Sequence, residues 1–354
     1  MNDEIINVIG LMSGTSLDGL DIVYVEFNKS RIKNFKIVFS ETISYDDYWK
    51  CNLTNSINKT KEELVALDLE YGKYLGEKVN LFISSNKILN VDFIASHGHT
   101  VLHQPNKGIT LQIGSGQKIM NITNKKVVCD FRTQDVIFGG QGAPLVPIGD
   151  ELLFFNYDAC LNLGGFANIS YKQNSKRIAF DICPVNIVLN YYVSKLNFEY
   201  DDEGKIASKG VVNNKLLENL NSLEFYKKMH PKSLGLEWVK ENILPLIDHF
   251  GLDVKDILRT FIEHIAIQIS NAAKESKTIL ITGGGAFNKF LINRIEFLTD
   301  SKIIIPDDST INYKEALIFA LLGLLKLDNQ INCLSSVTGA SKDHSSGVIF
   351  TPKK

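Results

Sequence analysis

The sequence predicts an α/β protein made of two related domains. Three observations predict it. Runs of β-branched and apolar residues alternate with amphipathic helical segments along the chain. A unit of three short strands with a Gly-rich first turn opens the sequence and returns about 150 residues later. The chain has 354 residues, and a single domain typically takes about 100–200.

The elements follow in order. Residues 5–11 are apolar and run into the polar turn Ser13-Gly14-Thr15-Ser16-Leu17-Asp18-Gly19, and 20–27 and 36–40 read as the next two strands. Thr60-Lys61-Glu62-Glu63 has the form of a capping box, in which hydroxyl and carboxylate each satisfy the other's orphan N–H. The helix it opens carries Leu64, Leu67, Tyr71, Leu75 and Val79 on one face. A strand at 91–95 leads into a histidine-rich loop, 96–103.

The second unit has a strand at Ala159–Leu163, the turn Gly164-Gly165, strands at 166–171 and 177–182, and a helix from about Asn186. Asp253 is a candidate cap for a helix reaching about Lys274, with Ile257, Phe261, Ile265 and Ile269 on one face. A strand at 278–281 runs into Thr282-Gly283-Gly284-Gly285, and a strand at 302–305 precedes a helix over 313–327. No long Pro/Ser linker intervenes. The expected division is 1–135 and 136–354, with a C-terminal tail able to return to the first domain.

Composition excludes several classes. Hydrophobic residues make up 44% and charged residues 22%, ordinary for a globular chain. A net charge of −2 gives no basis for general nucleic-acid binding. The five cysteines are odd in number, widely spaced and lack a C-x-x-C, which argues against a disulfide framework or zinc knuckle and fits a reducing compartment. The N-terminus is acidic where a signal peptide is basic, and the most apolar stretch, 316–325, is shorter than the ~20 residues of a membrane span. A cytoplasmic protein is expected.

The turn from Ser13 to Gly19 is dense in glycine and hydroxyls and suits an anion, and Asp18 and Asp21 could hold Mg²⁺ directly or through water. Its bland alternative is a plain hairpin. There is neither a G-x-x-x-x-G-K-[ST] nor a G-x-G-x-x-G after a strand. Gly283 to Gly285, between a strand and a helix, could let a flat ligand or a phosphate lie against a helix N-terminus, or could simply turn tightly. His97, His99 and His103 resemble metal ligands at first sight, but no acid or cysteine nearby completes a set. Recognition of a polar ligand or a structural loop remain the alternatives. Arg132 could pair with a substrate carboxylate or phosphate, or with Asp130 or Asp135. Asp181, at a strand's end, could be a general base or only a helix cap.

Taken together, these residues resemble the anhydro-N-acetylmuramic acid kinase family, of the sugar kinase/Hsp70/actin fold group. The matching segments are Gly10–Asp21 (GLMSGTSLDGLD), Ser96-His97-Gly98 with Thr100, Asp130-Phe131-Arg132, residues 139–147 (GGQGAPLVP), residues 162–168 (NLGGFAN) and Phe180-Asp181. Tyr200-Asp201, His230-Pro231-Lys232-Ser233, Gly283–Gly285 with Asn288, and Glu315-Ala316 follow.

The resemblance implies two ribonuclease-H-like domains around an interdomain ATP cleft. It implies ATP and Mg²⁺ as cofactors, with Asp18 toward the metal. Gly14, Thr15, Ser16, Leu17, Asp18, Gly19, Leu20 and Asp21 would hold the triphosphate, with Gly164 and Gly165 as a second phosphate turn and Gly283, Gly284 and Gly285 along the adenosine. 1,6-Anhydro-N-acetylmuramic acid would meet His97, Thr100, Arg132, Asp181 and Glu315, with Asp181 as base and Arg132 and Glu315 as its catalytic partners. A homodimer is a further expectation; nucleic acid and membrane are not expected partners.

One departure stands out. Where the family runs Thr-Gly-Pro-Gly-Asn after the aspartate, this chain has Ile182-Cys183-Pro184-Val185-Asn186, and His99 replaces an expected Gln. A same-fold kinase for another sugar or acid, and a non-catalytic sensor of ATP or muropeptide, are the competing readings.

Overall fold

The computed structural model describes residues 4–14 and 17–353. Its strands are β1 Ile5–Ser13, β2 Gly19–Asn28, β3 Phe35–Ser44, β4 Phe93–Gln104, β5 Ile109–Ile113 and β6 Lys126–Cys129. They continue with β7 Ala159–Leu163, β8 Phe166–Gln173, β9 Lys176–Pro184, β10 Thr278–Thr282, β11 Lys302–Ile304 and β12 Val348–Phe350.

Two compact units result. One takes the chain up to Phe154 together with the chain from Tyr313 onward, and the other takes Phe155–Asn312. The expected cut at 135/136 therefore falls inside the first unit. The reason lies in sequence-distant packing. β12 pairs antiparallel with β6, with Val348 opposite Cys129, and the Gly10 backbone lies hard against the Ala316 carbonyl.

The first unit's sheet has the order β12-β6-β4-β1-β2-β3, with β5 beside β4. β1, β2 and β3 are antiparallel, while β4 and β6 run parallel to β1. The second unit's sheet has the order β11-β10-β7-β8-β9, again three antiparallel strands followed by two parallel ones. Reading β6-β4-β1-β2-β3 against β11-β10-β7-β8-β9 gives the same topology twice. The repeat foreseen from the two Gly-rich turns is thus a repeat of whole sheets.

Each sheet buries one face under a long helix. In the first unit Ile9, Leu11, Ile22 and Ile94 share a core with Leu67, Tyr71, Leu75 and Val79 of the helix Lys61–Ser85. The capping box forms: Thr60 N–H donates to Glu63 Oε2 (2.7 Å) and Glu63 N–H to Thr60 Oγ1 (3.3 Å). In the second unit Leu161, Leu163, Ile169 and Ile281 pack with Ile257, Phe261, Ile265 and Ile269 of the helix Val254–Ala272. Fully burying a side chain of this size is worth about 1.5–3 kcal/mol, so these stripes hold each unit together.

Two local expectations change. The histidine-rich segment is strand: β4 continues to Gln104 because β5 pairs alongside it. Gly98 does not end the strand but takes φ +73°, and a Cβ there would lie 2.5 Å from the Ile113 carbonyl. The helix expected from residue 313 begins at Asp308, where Asp307 accepts from the Thr310 N–H (3.0 Å). Among the described residues no helix is long and apolar enough to cross a membrane.

Candidate active site

In the first unit the turn expected to hold phosphate joins β1 to β2. Thr15 and Ser16 lie outside the described residues. Leu17 takes the left-handed region (φ 60°), and Asp18 is exposed. Leu20 is buried in the core, so its side chain is not open to a ligand. Gly19 lies so close to β3 that a Cβ would stand 2.6 Å from the Ile43 carbonyl.

Asp21 is half-buried, and Thr42, directly opposite on β3, donates to its Oδ1 (2.6 Å). Burial raises the Asp21 carboxyl above its usual range, the Thr42 bond opposes this, and the Asp18 charge adds to it. Two carboxylates that repel across one turn are relieved by a divalent cation. Asp18 and Asp21 are therefore the residues that would hold Mg²⁺.

Behind the turn lies a buried hydroxyl chain. Tyr45 Oη donates to Ser13 Oγ (2.8 Å) and lies 2.6 Å from Tyr71 Oη, and Ser13 Oγ lies 3.1 Å from His99 Nδ1. Burial lowers His99 to about 4. His99 thus anchors the end of β1 as a neutral ring. Thr100 is half-buried beside Gln112, whose Nε2 lies 3.4 Å from its Oγ1.

Arg132 is built from behind by His97. Arg132 Nε donates to His97 Nε2 (2.9 Å), and His97 Nδ1 donates to the Gly98 carbonyl (2.9 Å). Both ring nitrogens are used and the ring is buried against Phe319, so His97 holds the arginine; it has no free nitrogen to offer a ligand. Burial first, and the Arg132 charge second, push His97 well below its ordinary value.

A further Arg132 bond goes to the Gly142 carbonyl (2.6 Å), and among the described residues no ion pair with Asp130 or Asp135 forms within 4 Å. Burial pulls the Arg132 pKa down, and Glu315 is the first of the groups that oppose this. The guanidinium stays charged at neutral pH. Glu315 is raised by desolvation, with Arg132 opposing, Asp21 adding and Lys314 opposing; its side chain reaches solvent, which moderates the shift. Lys314 itself pairs with buried Asp150 (2.6 Å). Asp21, Arg132 and Glu315 are therefore brought within electrostatic reach of one another.

In the second unit Asp181 sits beside a β-bulge. Asn168 faces Asp181 while Ala167 faces Cys183, which leaves Ile182 as the extra residue. The segment after His230 clamps it. Leu234 N–H donates to Asp181 Oδ2 (2.8 Å) and Asp181 N–H donates to the Lys232 carbonyl (3.1 Å). His230 stacks on Phe180 at 5.7 Å between ring centroids. Asp181 is half-buried, and burial raises its carboxyl, with the Leu234 bond opposing.

A cavity of about 860 Å³ in this unit is lined by Asn186, Tyr200, Asp201, Gly284, Asn288 and Ile311, among others. Of the three consecutive glycines only Gly284 is open, with its nearest neighbour 3.9 Å from a Cβ. Gly283 (φ +82°) and Gly285 lie so tightly on Asn162 and Leu163 that a Cβ would meet them at 2.6 and 2.7 Å. At Gly164 a Cβ would stand 3.3 Å from Asn162 Nδ2, a tight contact, while at Gly165 the nearest neighbour would be 3.9 Å away.

The profile of a family described as "Anhydro-N-acetylmuramic acid kinase" matches residues 6–352. The chain is 33% identical to the anhydro-N-acetylmuramic acid kinase of Haemophilus influenzae, covering 97% of each chain. It is 31% identical to that of Sulfurimonas denitrificans, covering 97% of this chain and 98% of that one. The chain belongs to the anhydro-N-acetylmuramic acid kinase family. Among solved structures, a xylulose kinase from Lactobacillus acidophilus aligns at a TM-score of 0.44 and 12% identity, covering 98% of this chain and 94% of that one.

Against the family pattern, the departures after Asp181 are core residues. Ile182, Cys183 and Val185 are 2%, 0% and 0% exposed and belong to the second unit's hydrophobic cluster. Burial pushes the Cys183 thiol far up, which leaves it protonated and inert. These side chains fill the core and do not face a ligand.

Sequence reasoning passed over Thr42 and Leu234, which position Asp21 and Asp181. The His230-Pro231-Lys232-Ser233 motif marked the clamp's place without its role. Two other motif residues prove structural. Asp201 accepts from the Ile206 and Ala207 N–H groups, and Asn288 caps its helix by accepting from Leu291 N–H.

Proposed function

We propose that this kinase transfers the γ-phosphoryl group of ATP to O6 of 1,6-anhydro-N-acetylmuramic acid and opens the anhydro ring with water. Water adds to the anomeric carbon, the C1–O6 bond breaks, O6 bonds to the γ-phosphorus, and ADP leaves. The ring oxygen has no proton to give up, so the proton that must be removed belongs to the attacking water, and Asp181 takes it. The products are N-acetylmuramic acid 6-phosphate and ADP, in cytoplasmic recycling of cell wall.

The observation that carries this reading is the clamped, half-buried Asp181, with its carboxyl raised by burial and its Oδ2 fixed by the Leu234 N–H. A raised carboxylate is a stronger base, and a fixed one spends no entropy in finding its proton. Arg132, held by His97 and Gly142, offers a fixed positive fork to the sugar's carboxylate, and Glu315 orients sugar and water. The β1–β2 turn and Gly164-Gly165 hold phosphates through backbone N–H groups, and the cavity beside Gly284 receives the adenosine. When bound, Mg²⁺ neutralises phosphate charge, with Asp18 and Asp21 as the residues that hold it.

The deciding experiment incubates the protein with Mg²⁺-ATP and the anhydro sugar and follows the sugar by mass spectrometry. Gain of both a phosphate and a water supports the coupled reaction. ADP release with unchanged sugar, or better turnover of a simple hexose in a parallel panel, overturns it.

A further inference from the structure

We propose that Asp135, Cys333 and His344, all in the first unit, form a binding site for a late divalent metal ion, with zinc the best match. Their ligand atoms lie within 4.8 Å of one another. Asp135 Oδ1 stands 3.0 Å from Cys333 Sγ and 3.7 Å from His344 Nε2. Ligands at the usual zinc bond lengths of about 2.0–2.3 Å stand roughly 3.3–3.8 Å apart around one centre. The two separations from Asp135 lie close to that range, and the third is bounded at 4.8 Å. The residues are 0%, 1% and 6% exposed.

The backbone fixes this set. Cys333 and His344 face each other across an isolated antiparallel bridge, each N–H donating to the other's carbonyl (3.1 and 3.2 Å). Directly opposed residues project from the same face.

The histidine's tautomer adds an independent pointer. Its Nδ1 donates to the Lys342 carbonyl (3.1 Å), so Nε2 is the nitrogen left for a ligand. That buried Nε2 has no hydrogen-bond partner and faces Asp135 Oδ1. A cation between this nitrogen and the carboxylate would give the nitrogen the partner it lacks. An N–H donated to a backbone carbonyl is also how ligating histidines are commonly oriented. Phe138 lies edge-on to the ring at 5.0 Å, and Asp135 Oδ2 accepts from Gly142 N–H (2.7 Å).

A thiol, an imidazole and one carboxylate favour zinc-like ions over Mg²⁺ or Ca²⁺. On binding, the Cys333 S–H bond breaks, the sulfur bonds to the metal and one proton leaves to solvent. Water, or the Thr338 hydroxyl 2.7 Å from Oδ1, completes four ligands. The ion would fasten the 333–346 segment to Asp135, and through Gly142 to the carbonyl that holds Arg132.

The test uses the full chain, stripped by chelator and titrated with Co²⁺ and Zn²⁺. The expected result is one equivalent bound, one proton released, and a cobalt spectrum with tetrahedral visible bands and a thiolate charge-transfer band. Cys333→Ser should lose that band, and Cys333→Ser and His344→Gln should each weaken binding by tenfold or more, while metal-free melting shows both variants folded. Absence of stoichiometric binding to the parent protein overturns the proposal whatever the variants do. So does affinity unchanged in both variants. Absence of metal binding together with an imidazolium signal for His344 by NMR would assign a buried ion pair in place of a metal site.

Discussion

Asp181 is under two opposed demands. The proposed role as base needs it ionised, and burial resists ionisation. Its folded pKa lies above the unfolded value, so its contribution to stability is full at acid pH and is lost as pH rises through the folded value. Asp181→Asn should therefore cut kcat by about 10²–10⁴ while leaving ATP binding intact, and should not lower the melting temperature at pH 7. Steady-state kinetics and calorimetry check both halves. An unchanged kcat would remove Asp181 as the base. In the parent enzyme the acid limb of kcat should lie above the usual aspartate range.

His97 makes a contrasting case, since it acts through Arg132. Replacing His97 with Phe removes an acceptor from a charged donor, a loss of about 1.5–3 kcal/mol, and should lower kcat/KM for the sugar by roughly ten- to a hundredfold with the KM for ATP little changed. Legibility differs between these two residues. Asp181 stood out as a carboxylate closing an apolar run, although β9 continues past it to Pro184 and a bulge sets it; His97 looked like a ligand-facing side chain. Only the position of Arg132, thirty-five residues on, shows where its ring nitrogens go.

At the scale of elements, three consecutive glycines at one strand-to-helix junction have unequal jobs. Gly283→Ala and Gly285→Ala must push a Cβ into Asn162 and Leu163. Each should destabilise by about 1–3 kcal/mol, read from urea unfolding. Gly284→Ala should fold normally and raise the KM for ATP, because its open side lines the cavity. Equal stability losses in all three would refute the distinction.

The sequence showed the run of glycines and their place between strand and helix. It could not show which of them touches β7, because that contact depends on a parallel pairing with Thr282 opposite Asn162. Local signals were readable for the same reason that distant ones were not. The Thr60–Glu63 box and the face Leu67, Tyr71, Leu75 and Val79 are written within a few turns of one helix. β12 is three residues long and finds its partner more than two hundred residues away. The segment after Gly98 reads as a loop by composition, and only β5 makes it a strand.

The molecule as a whole carries buried neutral histidines in both units. Burial lowers His99 to about 4 in the first and His264 to about 3 in the second. Both folded values lie below the unfolded ~6.5. Their contribution is therefore intact above pH 6.5 and is lost as pH falls toward the folded values. For His99 alone the loss is on the order of 3 kcal/mol. The melting temperature should fall steeply between pH 6.5 and 4, and His99→Gln should flatten part of that fall. A parent protein whose melting is flat over this range would contradict the buried-neutral assignment.

The return of β12 to the first sheet also orders events at the ribosome. The second unit is a continuous stretch of chain, so all its strands exist once Asn312 has emerged. The first unit lacks an outer strand, and Asp135 lacks its Thr338 partner, until residues 338–350 are made. Chains fold domain by domain as they are synthesised. Here the part encoded in the middle can settle first, while the earlier-made part waits, unfinished, for residues 338–350.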